Sequence, residues 1–220
     1  MKIKLTCMLM LVLCFCAHAQ NVPATSATPA VQAPAMPPFV DPGHEIKGAA
    51  LVKALRAGGF ILFMRHAFAG SPKPPCPNEA MLTPEGEDQA RQVGAALREL
   101  KVPIAIIKAS ETCRAADTAR LLNLGVVTGS ADLNPAVMRR PVSDYMEQFK
   151  YLLERPPEHS NILLVSHVQG SAKLEQRILI DYAEIVVYRP GAGDLPEAVA
   201  RIPLGTWAGL ITAVAAEPPK

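Results

Sequence analysis

The sequence predicts an α/β fold of three layers, with a mainly parallel sheet between helices. Two observations carry that expectation. The apolar runs Phe60 to Met64, Pro103 to Ile107 and Asn161 to Ser166 lack the polar alternation of a strand with one wet face, as expected where both faces of a sheet are covered. Between them lie stretches of about ten to fifteen residues whose apolar positions recur at helical spacing.

Taken in order, the chain opens with Lys2 and Lys4, an apolar run from Leu9 to Cys16, and Ala17-His18-Ala19 before Gln20. This is the pattern of a secretory signal peptide over residues 1–19, cleaved after Ala19, so the mature protein is expected in the periplasm or outside the cell. The run is too short for a retained membrane span, and no later segment reaches about 18 apolar residues. Residues 20–43 are rich in proline and alanine with almost no charge, which reads as an extended linker. A folded domain is expected over 44–216. Ala50, Leu51, Ala54 and Leu55 share one helical face, and Gly58-Gly59 closes that helix before the first strand. Thr83-Pro84-Glu85 supplies a cap, a proline at the first helical position and an acid in the first turn. Ala90, Val93, Leu97 and Leu100 then form a buried stripe. The second strand leads to a helix near Glu111 to Leu122, a further helix fits Ser143 to Leu153, and the third strand follows. Ala183 to Arg189 and Ala198 to Ile202 read as additional strands.

Half of the 220 residues are apolar, enough for one sizeable core. Loss of Lys2 and Lys4 with the signal leaves basic and acidic residues balanced, which argues against a nucleic-acid or membrane-surface patch. Cys7, Cys14 and Cys16 leave with the signal. Cys76 and Cys113 remain, and a lone pair in an oxidising compartment is expected to form a disulfide. A redox role lacks the CxxC it would need, and two sulfurs without nearby histidine spacing do not make a metal site. No metal and no cofactor are expected.

The three strands end alike: the first on Arg65-His66, the second leading through Ser110 to Arg114, the third on Ser166-His167. In an open parallel sheet the residues beyond the carboxyl ends of the strands converge on one crevice. Alone, each histidine is an ordinary partly buried imidazole and Arg114 an ordinary surface helix residue. Together they are four cationic or potentially cationic groups that would repel one another without an anion among them. A phosphate-like ligand follows.

Four motifs, in order, resemble the histidine phosphatase superfamily, also called phosphoglycerate mutase-like. Met64-Arg65-His66-Ala67 resembles its Arg-His-Gly signature, and Leu82 to Ala90 its LTxxGxxQA helix opening. Ser110, Arg114, Ala115, Thr118 and Ala119 match its SxxxRAxxTA segment, and LLVSH ending at His167 its late histidine. The resemblance implies a phosphoglycerate mutase-like fold, His66 as the nucleophile that becomes phosphorylated, and Arg65, Arg114 and His167 around the phosphoryl oxygens, His167 serving catalysis as well. Ser71 and Ser110 are candidate hydroxyl contacts. The sequence departs from the pattern at Ala67 and Val168, where glycines are usual, and at Pro135, where many members carry the acid that protonates the leaving group. Asp132 and Asp144 are the candidate substitutes. The expected function is exported hydrolysis of a phosphomonoester or phosphoramidate through a phosphohistidine. The expected substrate is a small phosphorylated molecule or a phosphorylated cell-envelope component. Mutase activity is not expected, because the long insertions around a phosphoglycerate site are missing. The other reading is a phosphate-binding domain of the same fold with weak or lost catalysis.

Overall fold

Strand β1 (Ile61–Arg65) lies in the middle of a six-stranded sheet ordered β10-β9-β1-β6-β4-β5, and its position there follows from its composition. Apolar on both sides, it is stable only where both faces are covered. In the computed structural model, residues 40–41, 43–134, 151–152, 154–167, 169–170, 177–178, 180–191 and 196–216 are described. The expected signal peptide, most of the linker, Pro135, Asp144 and Val168 lie outside them.

β1 pairs in parallel with β6 (Asn161–Ser166), and β6 and β5 (Val127–Ser130) both pair in parallel with β4 (Ile104–Ser110). β7 (Gln169–Gly170) and β8 (Arg177–Ile178) pair antiparallel as a separate ribbon. On the other side β9 (Ile185–Arg189) runs antiparallel to β1, and β10 (Glu197–Ile202) antiparallel to β9. Leu62, Met64, Leu163 and Val165 face the larger core, with residues of α1 (Gly48–Ala57), α2 (Pro84–Glu99), α3 (Cys113–Leu121) and α4 (Trp207–Ala215). Ile61, Phe63, Ile162 and Leu164 face a second cluster with Leu133, Leu152 and Ile180. The mostly parallel sheet with helical cover is the expected α/β fold. Tyr151 and Leu152, the described part of the helix expected over Ser143 to Leu153, are helical.

Local signals act as their chemistry predicts. Thr83 Oγ1 accepts from the Gly86 N–H at 3.1 Å, capping α2 behind Pro84. Gly58 and Gly59 turn the chain at φ of 84° and 91°, and a Cβ on Gly58 would overlap the Ser160 backbone. Two elements carry no clear signal in the sequence. Residues 69–82, whose prolines suggest a loop, form the hairpin β2 (Ala69–Lys73) and β3 (Cys76–Leu82), and α4 was not marked by any capping pattern. The hairpin stands apart from the main sheet as its own two-stranded ribbon, where proline costs no central ladder bond.

The hairpin is tied to α3 by the expected disulfide, Cys76 to Cys113, with Cα atoms 6.5 Å apart. Closing a loop with a sequence separation of 37 is worth at most about 4 kcal/mol in the chain-entropy description. On the opposite side of β1, the turn 181–184 is fixed by Glu184, a fully buried carboxylate. Its oxygens accept from Arg201 Nε at 2.6 Å, Arg201 Nη2 at 2.7 Å and the Asp181 N–H at 2.8 Å. Replacing Glu184 with Ala removes the acceptor that all three of these donors share. Urea denaturation should show a loss of about 3 kcal/mol; unchanged stability would mean the turn is held by other contacts.

Candidate active site

The β1–β6 register sets Arg65 opposite Ser166, so the next residues of the two strands, His66 and His167, emerge side by side. The His66 N–H donates to the Ser166 carbonyl at 2.8 Å, and the two rings lie 5.0 Å apart between centroids. Both histidines are buried, with 6% and 8% of their surface exposed. His66 Nδ1 lies 2.8 Å from the Ala67 carbonyl oxygen. A carbonyl only accepts, so Nδ1 carries the proton and Nε2 the lone pair. Arg114 Nε, on the first turn of α3, donates to that lone pair at 3.2 Å.

The same reasoning orients His167. Arg114 Nη2 lies 3.4 Å from its Nδ1, which must accept, so Nε2 carries the proton toward Ser110 Oγ at 3.0 Å and Thr112 Oγ1 at 3.3 Å. Ser110 passes the chain on, donating to Asn134 Oδ1 at 2.8 Å. Arg65 completes the cluster. Its Nη1 donates to the Ile180 carbonyl at 2.8 Å, its guanidinium lies 3.7 Å above the Tyr182 ring, and its buried Nε has no hydrogen-bond partner among the described residues.

This concentration of positive charge controls protonation. Burial, then the charges of Arg114 and Arg65, lower the His66 pKa from 6.5 to about 4, against the Ala67 carbonyl, which favours the proton. Burial and then His66, Arg114 and Arg65 lower His167 to about 2. Burial also lowers Arg114, while the Glu79 carboxylate and Tyr182 favour its charged form. Both imidazoles are therefore neutral, and among the described residues no carboxylate forms an ion pair with Arg65 or Arg114.

The motif residues around the cluster each make a contact that explains their type. Thr118 Oγ1 accepts from the Ala67 N–H at 3.0 Å and donates to the Arg114 carbonyl at 2.7 Å, joining the segment that carries His66 to α3. Gln89 Oε1 accepts from the Phe68 N–H at 2.9 Å. Gly86 lets α2 approach the Phe68 carbonyl, which a Cβ would overlap. Glu79, on the hairpin, accepts from the Cys113 N–H at 2.9 Å and so caps the first turn of α3 beside the disulfide.

Arg65, His66, Arg114, His167 and Ser110 thus come together. Ser71 is on the exposed strand β2. Asp132 is exposed and its Oδ2 accepts from the Tyr151 hydroxyl at 2.8 Å. Asp144 lies outside the described residues. Tyr182 was missed: its ring is 5.5 Å from that of His66, yet it sits outside every motif, at a turn whose place only the tertiary pairing fixes. Glu79 was missed for the same reason. Among the described residues no group of three histidine, cysteine or acidic side chains could hold a metal ion, and no helix is long and apolar enough to cross a membrane.

The family model described as histidine phosphatase superfamily (branch 1) matches residues 61–133, about a third of the chain. That segment holds Arg65, His66 and Arg114; His167, beyond it, joins them through the β1–β6 pairing. No curated protein matches the chain. Similar solved structures include a protein histidine phosphatase SixA complexed with tungstate, 16% identical over 63% of this chain and 96% of that one, at a TM-score of 0.41. A phosphoserine phosphatase mutant from Entamoeba histolytica in complex with phosphoserine is 12% identical over 66% and 97%, at 0.46. The alpha-ribazole phosphatase from Shigella flexneri is 15% identical over 63% and 94%, at 0.43. The histidine phosphatase match supports a phosphatase-type function.

The lowered histidines give the domain a signed pH dependence. Below pH 6.5 the unfolded chain takes up protons that folded His66 refuses until about pH 4, so stability falls as the pH drops through that window. The loss from His66 alone is up to about 3 kcal/mol. Thermal midpoints measured between those pH values check this; a flat profile would contradict it.

Proposed function

We propose that this protein is an exported phosphatase that hydrolyses a phosphomonoester or phosphoramidate through a phosphohistidine on His66 Nε2. The observation that carries the reading is the bond from His66 Nδ1–H to the Ala67 carbonyl, which leaves the Nε2 lone pair facing the Arg114 guanidinium. In the first step that lone pair forms the N–P bond while the P–O or P–N bond to the leaving group breaks. The imidazole gains positive charge, and the Ala67 carbonyl at Nδ1–H stabilises it. Arg114 exchanges its bond to Nε2 for one to a phosphoryl oxygen, and with Arg65 and His167 balances the charge on the equatorial oxygens. In the second step water attacks phosphorus, the N–P bond returns its electron pair to Nε2, and phosphate departs with the water's oxygen.

The proton for the leaving group is the weak point of the site. Pro135 stands where an acid is usual, and the Asp132 carboxylate is engaged by Tyr151. This favours leaving groups that need little protonation, and it also favours the second reading, a phosphate-binding domain with slow turnover. Asp144 stays a candidate donor. Export is supported by the signal-like residues 1–19 and by the Cys76–Cys113 disulfide, which persists in oxidising compartments. Outside the cytoplasm the substrate is a small phosphorylated molecule or a phosphorylated envelope component.

Steady-state rates on a series of aryl and alkyl phosphates, with denaturing trapping of the phosphoenzyme, test the proposal. Rates should fall steeply as the leaving group becomes more basic. His66→Ala should abolish both turnover and the acid-labile phosphoenzyme, and Arg114→Lys should cost about a hundredfold, since a point charge does not replace a fork. An active His66→Ala protein would refute the mechanism. Oxyanion binding without turnover on any ester would establish the binding-domain reading instead.

A further inference from the structure

Phe68 is anchored by its backbone and left open at its ring. Its N–H donates to Gln89, its carbonyl accepts from the Thr83 N–H at 3.2 Å, and Gly86 packs against that carbonyl, so the first turn of α2 fixes the residue in place. Yet the residue is 37% exposed, whereas the domain's other described phenylalanines, Phe60 and Phe63, are buried. Among the described residues the ring of Phe68 meets that of Tyr182, edge-on at 5.2 Å between centroids. Tyr182 is itself held by Arg65 across its face and by the turn that Glu184 locks, and its ring lies 5.5 Å from His66. The rings of His167, His66, Tyr182 and Phe68 therefore follow one another from the buried phosphate cluster to the solvent. The exposed Phe68 ring is thus the solvent end of a series whose buried end is the His66–His167 pair.

Resting on the phosphatase reading above, we propose that Phe68 and Tyr182 form the leaving-group wall and select phosphoryl groups carried on a planar aromatic ring, a phenol ester or a phosphoimidazole. Aromatic rings prefer offset or edge-to-face contact with such a ring, and the polar cluster behind offers nothing equivalent to an aliphatic alcohol or a sugar. Phe68 is a specificity residue: it touches the departing group and takes no part in bond making.

The test separates aromaticity from leaving-group acidity by comparing phenyl phosphate with hexafluoroisopropyl phosphate, an alkyl ester of similar leaving-group acidity. The full mature protein should prefer the phenyl ester in kcat/KM. Phe68→Ala should lower the phenyl-to-alkyl ratio about fivefold to tenfold, mainly through KM, and Phe68→Tyr should restore it. A parallel assay with free phosphohistidine assigns the source: faster turnover than phenyl phosphate marks a nitrogen-linked donor, and slower turnover a phenol ester. On the unaltered protein, phenylphosphonate should compete about tenfold better than methylphosphonate. A ratio unmoved by Phe68→Ala, or equal inhibition by the two phosphonates, overturns the aromatic wall while the phosphatase stands. Absence of turnover and of phosphoenzyme with every ester overturns both.

Discussion

The contact from His66 Nδ1–H to the Ala67 carbonyl decides what the rest of the site can do. It fixes the tautomer, and the tautomer gives Nε2 a lone pair in the one place where two guanidiniums and a second imidazole converge. That gathering of positive groups is unfavourable on its own. The fold tolerates it by keeping both imidazoles neutral through burial, by laying Arg65 on the Tyr182 ring, and by bringing the Glu79 carboxylate near Arg114. In the proposed function a phosphoryl anion meets this positive potential. As the proposed nucleophile, a neutral imidazole needs no base to activate it, so the burial that disfavours protonation serves that role.

The scaffold serves that arrangement from both sides of β1. Toward β6, parallel pairing puts Arg65 opposite Ser166 and so places His66 beside His167. Toward β9, the buried Glu184, paired with the exposed Arg201, locks the turn that presents Tyr182. From above, the disulfide and Glu79 hold the hairpin on the first turn of α3, the turn that carries Arg114. His66 and His167 directly follow β1 and β6, and Arg114 lies in the first turn of α3, so the cluster collects at the carboxyl edge of the sheet.

Much of this was legible in the residues. Phe60 to Met64 and Asn161 to Ser166 read as doubly covered strands because nothing polar interrupts them, and Thr83-Pro84-Glu85 read as a helix start because each residue meets a stated need of a helix terminus. The motif residues were legible as types, and the fold supplies their reasons: Thr118 bridges Ala67 and Arg114, Gln89 holds Phe68, and Gly86 admits a carbonyl where a side chain would not fit. The hairpin was not legible, because Pro72, Pro74, Pro75 and Pro77 disguise a short ribbon whose order comes from a disulfide and a cap on another element. Tyr182 and Glu79 carry no local signal. Their place beside the site arises from pairings more than a hundred residues distant for Tyr182 and from the cross-link for Glu79.

Long-range proton–nitrogen correlation on protein labelled with 15N at histidine, assigned through the His66→Ala variant, reads the tautomer directly. His66 should show a protonated Nδ1 and an unprotonated Nε2, unchanged from about pH 8 to about pH 5, because its lowered pKa keeps it neutral throughout. An imidazolium at neutral pH, or the proton on Nε2, would contradict the assignment of Nε2 as the nucleophile.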